Sequence, residues 1–217
     1  MSCKLEQKMF YEKIFKDSLD KSWESAPGKK VLINYIDYLF NNKKITQSSK
    51  IMDIGCGNGF LLNKIHELFN IGKENLYGID ISDIAIEIAK KEYGLNNLIA
   101  MDVNKYSKDS KFNLVFSYES LEHVIDSEKL FNVITRILEI SGIFIFMIPT
   151  LGYYRVDRED EGWYEDLDIN KQLQWNRYRK HWEEFFGGNN LKLMDVNESI
   201  KFGAIKPGNF YFGKKVR

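Results

Sequence analysis

The sequence predicts an α/β fold: a doubly wound, mostly parallel sheet with helices on both faces. Three observations carry that expectation. Short apolar runs recur at Ile51–Ile54, Leu76–Ile79, Leu98–Met101, Phe112–Ser117 and Ile143–Ile148. Segments of helical period separate most of them, among them Leu61–Phe69, Ile84–Lys91 and Leu130–Ile140. A glycine-rich turn, Gly55-Cys56-Gly57-Asn58-Gly59, joins the first run to the first of these helices. Buried runs alternating with amphipathic helices make a sheet covered on both sides, because each crossover lays its helix on one sheet face.

The flanks read differently. Leu5–Leu19 is charged and amphipathic, Pro27 and Gly28 break the chain, and Val31–Phe40 has the apolar stripe of a second helix. Residues 1–45 are therefore expected to form a helical cap, which can cover a ligand or make a homodimer contact. Residues 46–150 form the ligand-binding core. Between 151 and 186 the chain is too polar for a central strand and too aromatic for a linker, with Tyr153, Tyr154, Trp163, Tyr164, Trp175, Tyr178, Trp182, Phe185 and Phe186 among dense charges. It reads as an insertion, part loop and part helix, lying as a lid over one end of the sheet. Residues 187–217 close the single domain with two strand candidates, Leu191–Val196 and Asn209–Lys214.

A chain of 217 residues is long enough for one domain with a sizeable core. Its 31 basic residues balance 31 acidic ones, which argues against a protein that grips nucleic acid through its overall field. Cys3 and Cys56 are too few for a disulfide framework and lack zinc-ligand spacing. Met1–Asp20 intersperses charges and has no apolar core of a secretory signal, and no apolar window is long enough to span a membrane. The expectation is a reduced, cytoplasmic protein.

The glycine turn carries the strongest chemical signal. Glycines allow a tight bend and close approach of a ligand to the backbone, and the helix that starts at Phe60 offers unpaired amides and a partial positive charge. The spacing is G-x-G-x-G, whereas dinucleotide enzymes use G-x-G-x-x-G, and no P-loop sequence occurs. Asp53 precedes the first glycine by two residues, where a carboxylate can orient the turn and face a cationic amino-acid ligand. The implied ligand has an ammonium and a carboxylate but no pyrophosphate. The bland alternative is a turn that merely packs helix against strand.

Asp80 ends the second strand, 21 positions after Gly59, where an acid can accept from both ribose hydroxyls. It could instead cap a helix, but Ser82 and Asp83 are better placed for that at Ile84. Asp102 ends the third strand and suits an adenine amino group; its alternative is a solvated loop acid. The fourth strand ends in Ser117-Tyr118-Glu119-Ser120-Leu121-Glu122-His123-Val124. In such sheets ligands bind outside the carboxyl ends of the strands, so these side chains face the bound molecule.

With these four elements in order, the chain resembles the class I S-adenosylmethionine-dependent methyltransferases, in their small-molecule O-methyltransferase-like branch. Asp53–Gly59 resembles the first motif of that family, Asp80 its ribose acid and Asp102 its adenine contact. Ser117–Val124 is similar to its E-x-L-E-H-V stretch. The resemblance covers roughly Lys50–Thr150 and the last two strands; it leaves out Met1–Phe40 and Leu151–Phe186, where the acceptor would be chosen. It implies a seven-stranded sheet of order 3-2-1-4-5-7-6 with the last strand antiparallel. It also implies S-adenosyl-L-methionine as cofactor, S-adenosyl-L-homocysteine as product, and contacts from Asp53, Gly55, Cys56, Gly57, Asn58, Gly59, Asp80, Ile81, Asp102, Val103, Tyr118 and Glu119.

His123 and Glu122 are the candidate catalytic residues. A histidine titrates near neutrality and can take the proton of a hydroxyl acceptor, although His123 can equally be a structural residue that opens a helix. Tyr118 would shape the methyl channel. Glu119, Glu122 and His123 also resemble the metal site of small-RNA 2′-O-methyltransferases, with His181 as a distant fourth ligand. Lys171 stands where that second histidine would align, so no metal is expected. Arg155, Arg158, Arg177 and Arg179 in the lid suit an anionic group, while half of the lid aromatics serve packing alone. The expected reaction is O-methylation of a small polar metabolite, a sugar or phosphorylated precursor of a cell-surface glycan. The rivals are an RNA or protein methyltransferase and a non-catalytic cofactor-binding scaffold. Against amino-group methylation of nucleic acids, Ser117-Tyr118-Glu119-Ser120 stands where an N/D-P-P-Y/F stretch would be.

Overall fold

The computed structural model describes residues 3–17, 27–124, 126–148, 162–165, 173–176, 179–193 and 210–217. Two helices, α1 (Cys3–Asp17) and α2 (Pro27–Asn41), precede the sheet. The core then alternates β1 (Ile51–Ile54), α3 (Phe60–Phe69), β2 (Leu76–Asp80), α4 (Asp83–Tyr93), β3 (Leu98–Ala100), β4 (Phe112–Tyr118), α5 (Ser127–Ile137) and β5 (Leu138–Met147). A small antiparallel pair, β6 (Gly162–Glu165) and β7 (Leu173–Asn176), stands apart from the main sheet. The helix α6 (Arg179–Gly188) and the strands β8 (Leu191–Leu193) and β9 (Phe210–Lys215) follow.

The main sheet has seven strands in the order β3-β2-β1-β4-β5-β9-β8. With β8 and β9 taken as its sixth and seventh strands, this is the expected 3-2-1-4-5-7-6. Strands β1 to β5 are parallel, and β9 runs antiparallel between β5 and β8. The order reverses between β1 and β4, so the crevice for a ligand opens at their carboxyl ends.

Strand alternation feeds two cores. In β4, Leu114 and Phe116 join one cluster and Val115 the other; in β5, Ile145 and Met147 oppose Phe144 and Phe146. Both sets are buried, which is why these strands read as continuous apolar runs rather than alternating ones. The first cluster packs against Leu32, Tyr35 and Ile36 of α2 and Leu62 and Ile65 of α3. The second packs against Leu130, Phe131 and Ile134 of α5. Phe186 of α6 belongs there too, its ring 5.1 Å from Phe131 and 5.5 Å from Phe144. This residue, read from the sequence as part of the lid, instead covers the sheet.

Two local features depart from the sequence reading. The helical period of the sequence runs to Ile140, but α5 ends at Ile137 and β5 begins at Leu138. Ser141 takes a positive φ of 65°, and the β4–β5 register shifts between Phe112 and Leu114. An irregular strand entrance with Glu139, Ile140 and Ser141 exposed mimics the polar face of a helix. Strand pairing within the insertion was also not anticipated. Among the described residues no helix is long and apolar enough to cross a membrane.

Candidate active site

The turn after β1 is built by glycine. Gly55, Gly57 and Gly59 all have positive φ, at 77°, 51° and 77°. The amides of Gly55 and Cys56 donate to the Ile79 carbonyl at 2.7 and 3.1 Å, which fastens the turn to β2. Asp80 fastens it again: one carboxylate oxygen accepts from Gly57 N at 2.8 Å and the other from Ser82 N at 2.9 Å. Ser82 in turn caps α4, accepting from Ala85 N at 3.2 Å, as its position predicts. From the other side the buried Ser117 hydroxyl donates to Ile54 O at 2.7 Å and ties β4 to the end of β1.

Above this floor lies a cavity of about 320 Å³. Of the residues expected at the site, Asp53, Gly55, Cys56, Gly57, Asp80, Ile81, Asp102, Val103, Tyr118, Glu119 and His123 line it. Asn58, Gly59 and Glu122 are not among the lining residues. The Asn58 side chain accepts from Phe60 N at 3.2 Å and so serves the start of α3. Gly59 faces the core, where a Cβ would come within 2.8 Å of Leu95 and 3.0 Å of Ala89. Asp102 has two duties, since it lines the cavity while its Oδ1 accepts from Asn104 N at 3.0 Å.

The electrostatics are those of a buried acidic site. Asp53 is 1% exposed and its Oδ1 has no hydrogen-bond partner. Burial pushes its carboxyl well above the usual range, Asp80 pushes it further, and the Lys29 ammonium pulls it back. Burial also raises Asp80, against backbone amides that lower it. Glu119 is raised by burial and lowered by Lys29. Its backbone has a positive φ of 48°, a conformation that costs a non-glycine residue about 1–3 kcal/mol and that gathers at functional sites.

Glu122 sits behind His123. It is 2% exposed, its Oε2 has no hydrogen-bond partner, and its Oε1 lies 3.7 Å from His123 Nε2. Burial, with Glu119 nearby, holds its carboxyl well above the ordinary value. The folded state therefore binds the proton more tightly than the unfolded one. The resulting penalty is absent below the unfolded pKa, grows as pH rises toward the folded pKa, and is constant above it. Glu122→Gln should remove that penalty, so its melting temperature should gain on the parent between pH 5 and pH 8. The expected gain in stability from pH 5 to pH 8 is about 1–3 kcal/mol, since each unit by which folding raises a carboxyl is worth about 1.4 kcal/mol. Parallel melting curves of the two proteins across that range would show that the carboxyl is not buried in solution.

The sequence reading missed the contribution of the first two helices. Gln7, Tyr11, Ile14 and Phe15 of α1 and Lys29 of α2 line the cavity. Gln7 Nε2 donates to the His123 carbonyl at 3.0 Å, and the Tyr11 ring meets the His123 ring edge-on at 6.0 Å. Lys8 Nζ pairs with Asp83 Oδ2 at 2.5 Å and holds α1 against α4. Helix α1 thus contributes part of the cavity lining. The helical spacing of Met9, Phe10, Ile14 and Phe15 is visible in the sequence, but the surface it covers is not, and Tyr11 gives no such signal.

The small β6–β7 pair lies against the Leu121–His123 turn through β7. The side chains of the lid aromatics Tyr153–Trp182, of His181, Lys171 and of Arg155, Arg158, Arg177 and Arg179 lie outside the described residues. Among the described residues no group of three or more His, Cys, Asp and Glu is arranged to hold a metal ion.

Residues 45–187 match the family model described as a methyltransferase domain. The chain belongs to the class I S-adenosylmethionine-dependent methyltransferases. Over 99 residues the chain is 33% identical to malonyl-[acyl-carrier protein] O-methyltransferase 1 of Ilyobacter polytropus, covering 44% of the chain and 36% of that protein. It is 28% identical over 155 residues to a putative methyltransferase of Invertebrate iridescent virus 6, covering 70% of the chain and 50% of the viral protein. The chain thus spans half or less of the length of these curated relatives. Its fold matches the crystal structure of an S-adenosylmethionine-dependent methyltransferase from Clostridium acetobutylicum at a TM-score of 0.65 and 18% identity, over 98% of this chain and 99% of the other.

The cavity of this methyltransferase suits such a cofactor. The unpartnered Asp53 oxygen beside the glycine turn is a ready acceptor for an ammonium. Asp80 at the end of β2 and Asp102 just after β3 line the same cavity, as do the apolar residues Ile81, Met101 and Val103.

Proposed function

We propose that this domain binds S-adenosylmethionine across the carboxyl ends of β1, β2 and β3 and O-methylates a small polar acceptor. The observation that carries the reading is that three carboxylates, Asp53, Asp80 and Asp102, line one cavity together with His123. Asp53 and Glu119 meet the amino-acid end, Asp80 the ribose and Asp102 the adenine. The bound cofactor supplies a methyl group already activated by its sulfonium. What remains for the chain is alignment and exclusion of water. Tyr11 and Phe15 close the cavity from α1, and Tyr118 narrows the side toward the acceptor. His123 takes the proton of the acceptor hydroxyl, and Glu122 behind it holds the imidazole in place as a positioning residue. The acceptor enters beside the Leu121–His123 turn, against which β7 lies, and is a sugar or phosphorylated hydroxyl compound. The malonyl-[acyl-carrier protein] O-methyltransferase of Ilyobacter polytropus supports oxygen as the accepting atom.

Calorimetric titration of the purified protein with S-adenosylmethionine, S-adenosylhomocysteine and NAD tests the cofactor. Micromolar binding of the first two and none of NAD is expected. No binding of either sulfur nucleotide would overturn the reading. A panel of sugar and phosphorylated hydroxyl acceptors, assayed by release of S-adenosylhomocysteine, then tests the reaction. With the acceptor so found, His123→Gln should lower kcat by about 10²- to 10⁴-fold, the usual contribution of a general base, while cofactor affinity changes only a few-fold. A loss in kcat below threefold would return His123 to a structural role.

A further inference from the structure

We infer that Gln7 and Tyr11 are positioning residues for His123, so that α1 fixes this histidine by its backbone and by its ring. The effect on turnover rests on the proposed function, while the effect on the imidazole itself stands apart from that reading.

His123 ends a single turn of 3-10 helix, Leu121–His123, to which Ser120 gives no side-chain cap. Such turns have poorer hydrogen-bond geometry than an α-helix, and the carbonyl of the last residue has no partner inside the turn. Gln7 Nε2 donates to that carbonyl at 3.0 Å, from 116 positions earlier in the chain. One turn further along α1, the Tyr11 ring meets the imidazole edge-on, with centres 6.0 Å apart and planes at 67°. Residues four apart share one face of a helix, so a single face of α1 holds both the backbone and the side chain of His123. Gln7, Tyr11 and His123 line the same cavity.

The helix has anchors of its own elsewhere. Lys8 Nζ pairs with Asp83 Oδ2 at 2.5 Å, in the first turn of α4. Phe15 packs against the glycine turn, where a Cβ on Gly57 would stand 3.1 Å from its ring. A reacting group is held only as firmly as its support, and an error of about 1 Å in its placement costs up to roughly 100-fold in rate. Glu122 Oε1, 3.7 Å from His123 Nε2, adds a third contact to the imidazole. Tyr11 is not a rival base. Burial, with Glu122 and Asp80 nearby, pushes its hydroxyl well above the ordinary value, so it keeps its proton at neutral pH. What Tyr11 contributes to proton transfer must therefore pass through His123.

The chain has three histidines, so magnetic resonance of histidine-labelled protein gives three imidazole signals, and His123→Gln identifies that of His123. Tyr11→Leu should shift the His123 ring protons, because an aromatic neighbour is lost, and Tyr11→Phe should restore them. Gln7→Leu should move them as well, since the turn is released. The His66 signal, whose Nδ1 meets the Ile71 carbonyl at 2.8 Å, should stay in place and shows that each variant is folded. On turnover, Gln7→Leu and Tyr11→Leu should each lower kcat about 10- to 100-fold in the parent. In a His123→Gln background the same changes should cost less than threefold, because a residue that acts through another has no effect once the other is gone. Losses of equal size in both backgrounds would overturn the inference, and so would a His123 signal that ignores both variants. A His123→Gln variant as fast as the parent, with the signal still moved by Tyr11→Leu, would instead overturn the assignment of His123 as base and leave its hold by α1 intact.

Discussion

Alanine at position 55 should abolish cofactor binding and lower stability by several kcal/mol. Two separate penalties meet there. The backbone is left-handed, with φ at 77°, which costs a residue with a Cβ about 1–2 kcal/mol. The new methyl carbon would also stand 1.9 Å from Ser120 Oγ and 2.4 Å from Ser120 Cβ. Ser120 cannot retreat alone, because it leads directly into the Leu121–His123 turn beside α1. Relief must come from moving the glycine turn away from β4 or from displacing His123. Gly94→Ala is the matched control. Its φ is 65°, but the nearest atom to a new Cβ is Lys73 Nζ at 3.9 Å. That variant should lose only about 1 kcal/mol and titrate S-adenosylhomocysteine like the parent. If Gly55→Ala also titrates like the parent, Ser120 yields without cost and the turn is not the rigid floor described above.

Asp80→Ala should lower affinity for S-adenosylmethionine by roughly 100-fold or more, with a much smaller effect on thermal stability. The carboxylate makes two charge-assisted bonds, to Gly57 N and Ser82 N, that hold the turn and the start of α4 in one frame. Such bonds contribute about 1.5–3 kcal/mol each when both partners are buried. The apo protein recovers part of that loss, since burial raises the Asp80 carboxyl overall and its removal relieves the desolvation. On the proposed binding mode the bound state recovers nothing, because the group that would accept from the ribose is gone and the turn is loose. Asp80→Asn should fall between the two, as one carbonyl oxygen can still take one amide. Calorimetric affinity beside a melting curve separates the effects. Ala binding within threefold of the parent would remove Asp80 from the site.

The strands that build the site were legible because their chemistry is local. Each of β1, β2, β3 and β4 is a short apolar run that ends in, or is followed within two residues by, a polar or glycine residue, and the carboxyl ends follow from the crossover rule. Asp53 lies near the end of β1, Asp80 ends β2 and Asp102 follows β3 by two residues, and all three line the cavity at the carboxyl side of the sheet. Lys29 and Tyr11 were not legible. They reach the cavity through the docking of α1 and α2, and nothing in a helical stripe names the surface it will cover. Glu122 illustrates the reverse limit. A carboxylate beside a histidine looks catalytic in one dimension, yet a short turn of 3-10 helix places His123 on the cavity and Glu122 behind it. Phe186 was misjudged because aromatic density alone does not distinguish a lid from a core helix.

The antiparallel strand β9 bears on how the protein is made. It fills the slot between β5 and β8, yet Phe210 lies 63 positions after Met147, the difference of their residue numbers. At synthesis rates of roughly 5–20 residues per second, β5 waits about 3–13 s for its neighbour. During that interval Phe144, Ile145, Phe146 and Met147, all buried in the finished sheet, border an unpaired edge. An open apolar edge of this kind is a template for pairing between nascent chains. The contact that closes the sheet is therefore also the slow one, since long-range strand pairing must first overcome the entropy of its loop. A chaperone that shields the edge on the ribosome would act at β5, far from the glycine turn that governs binding.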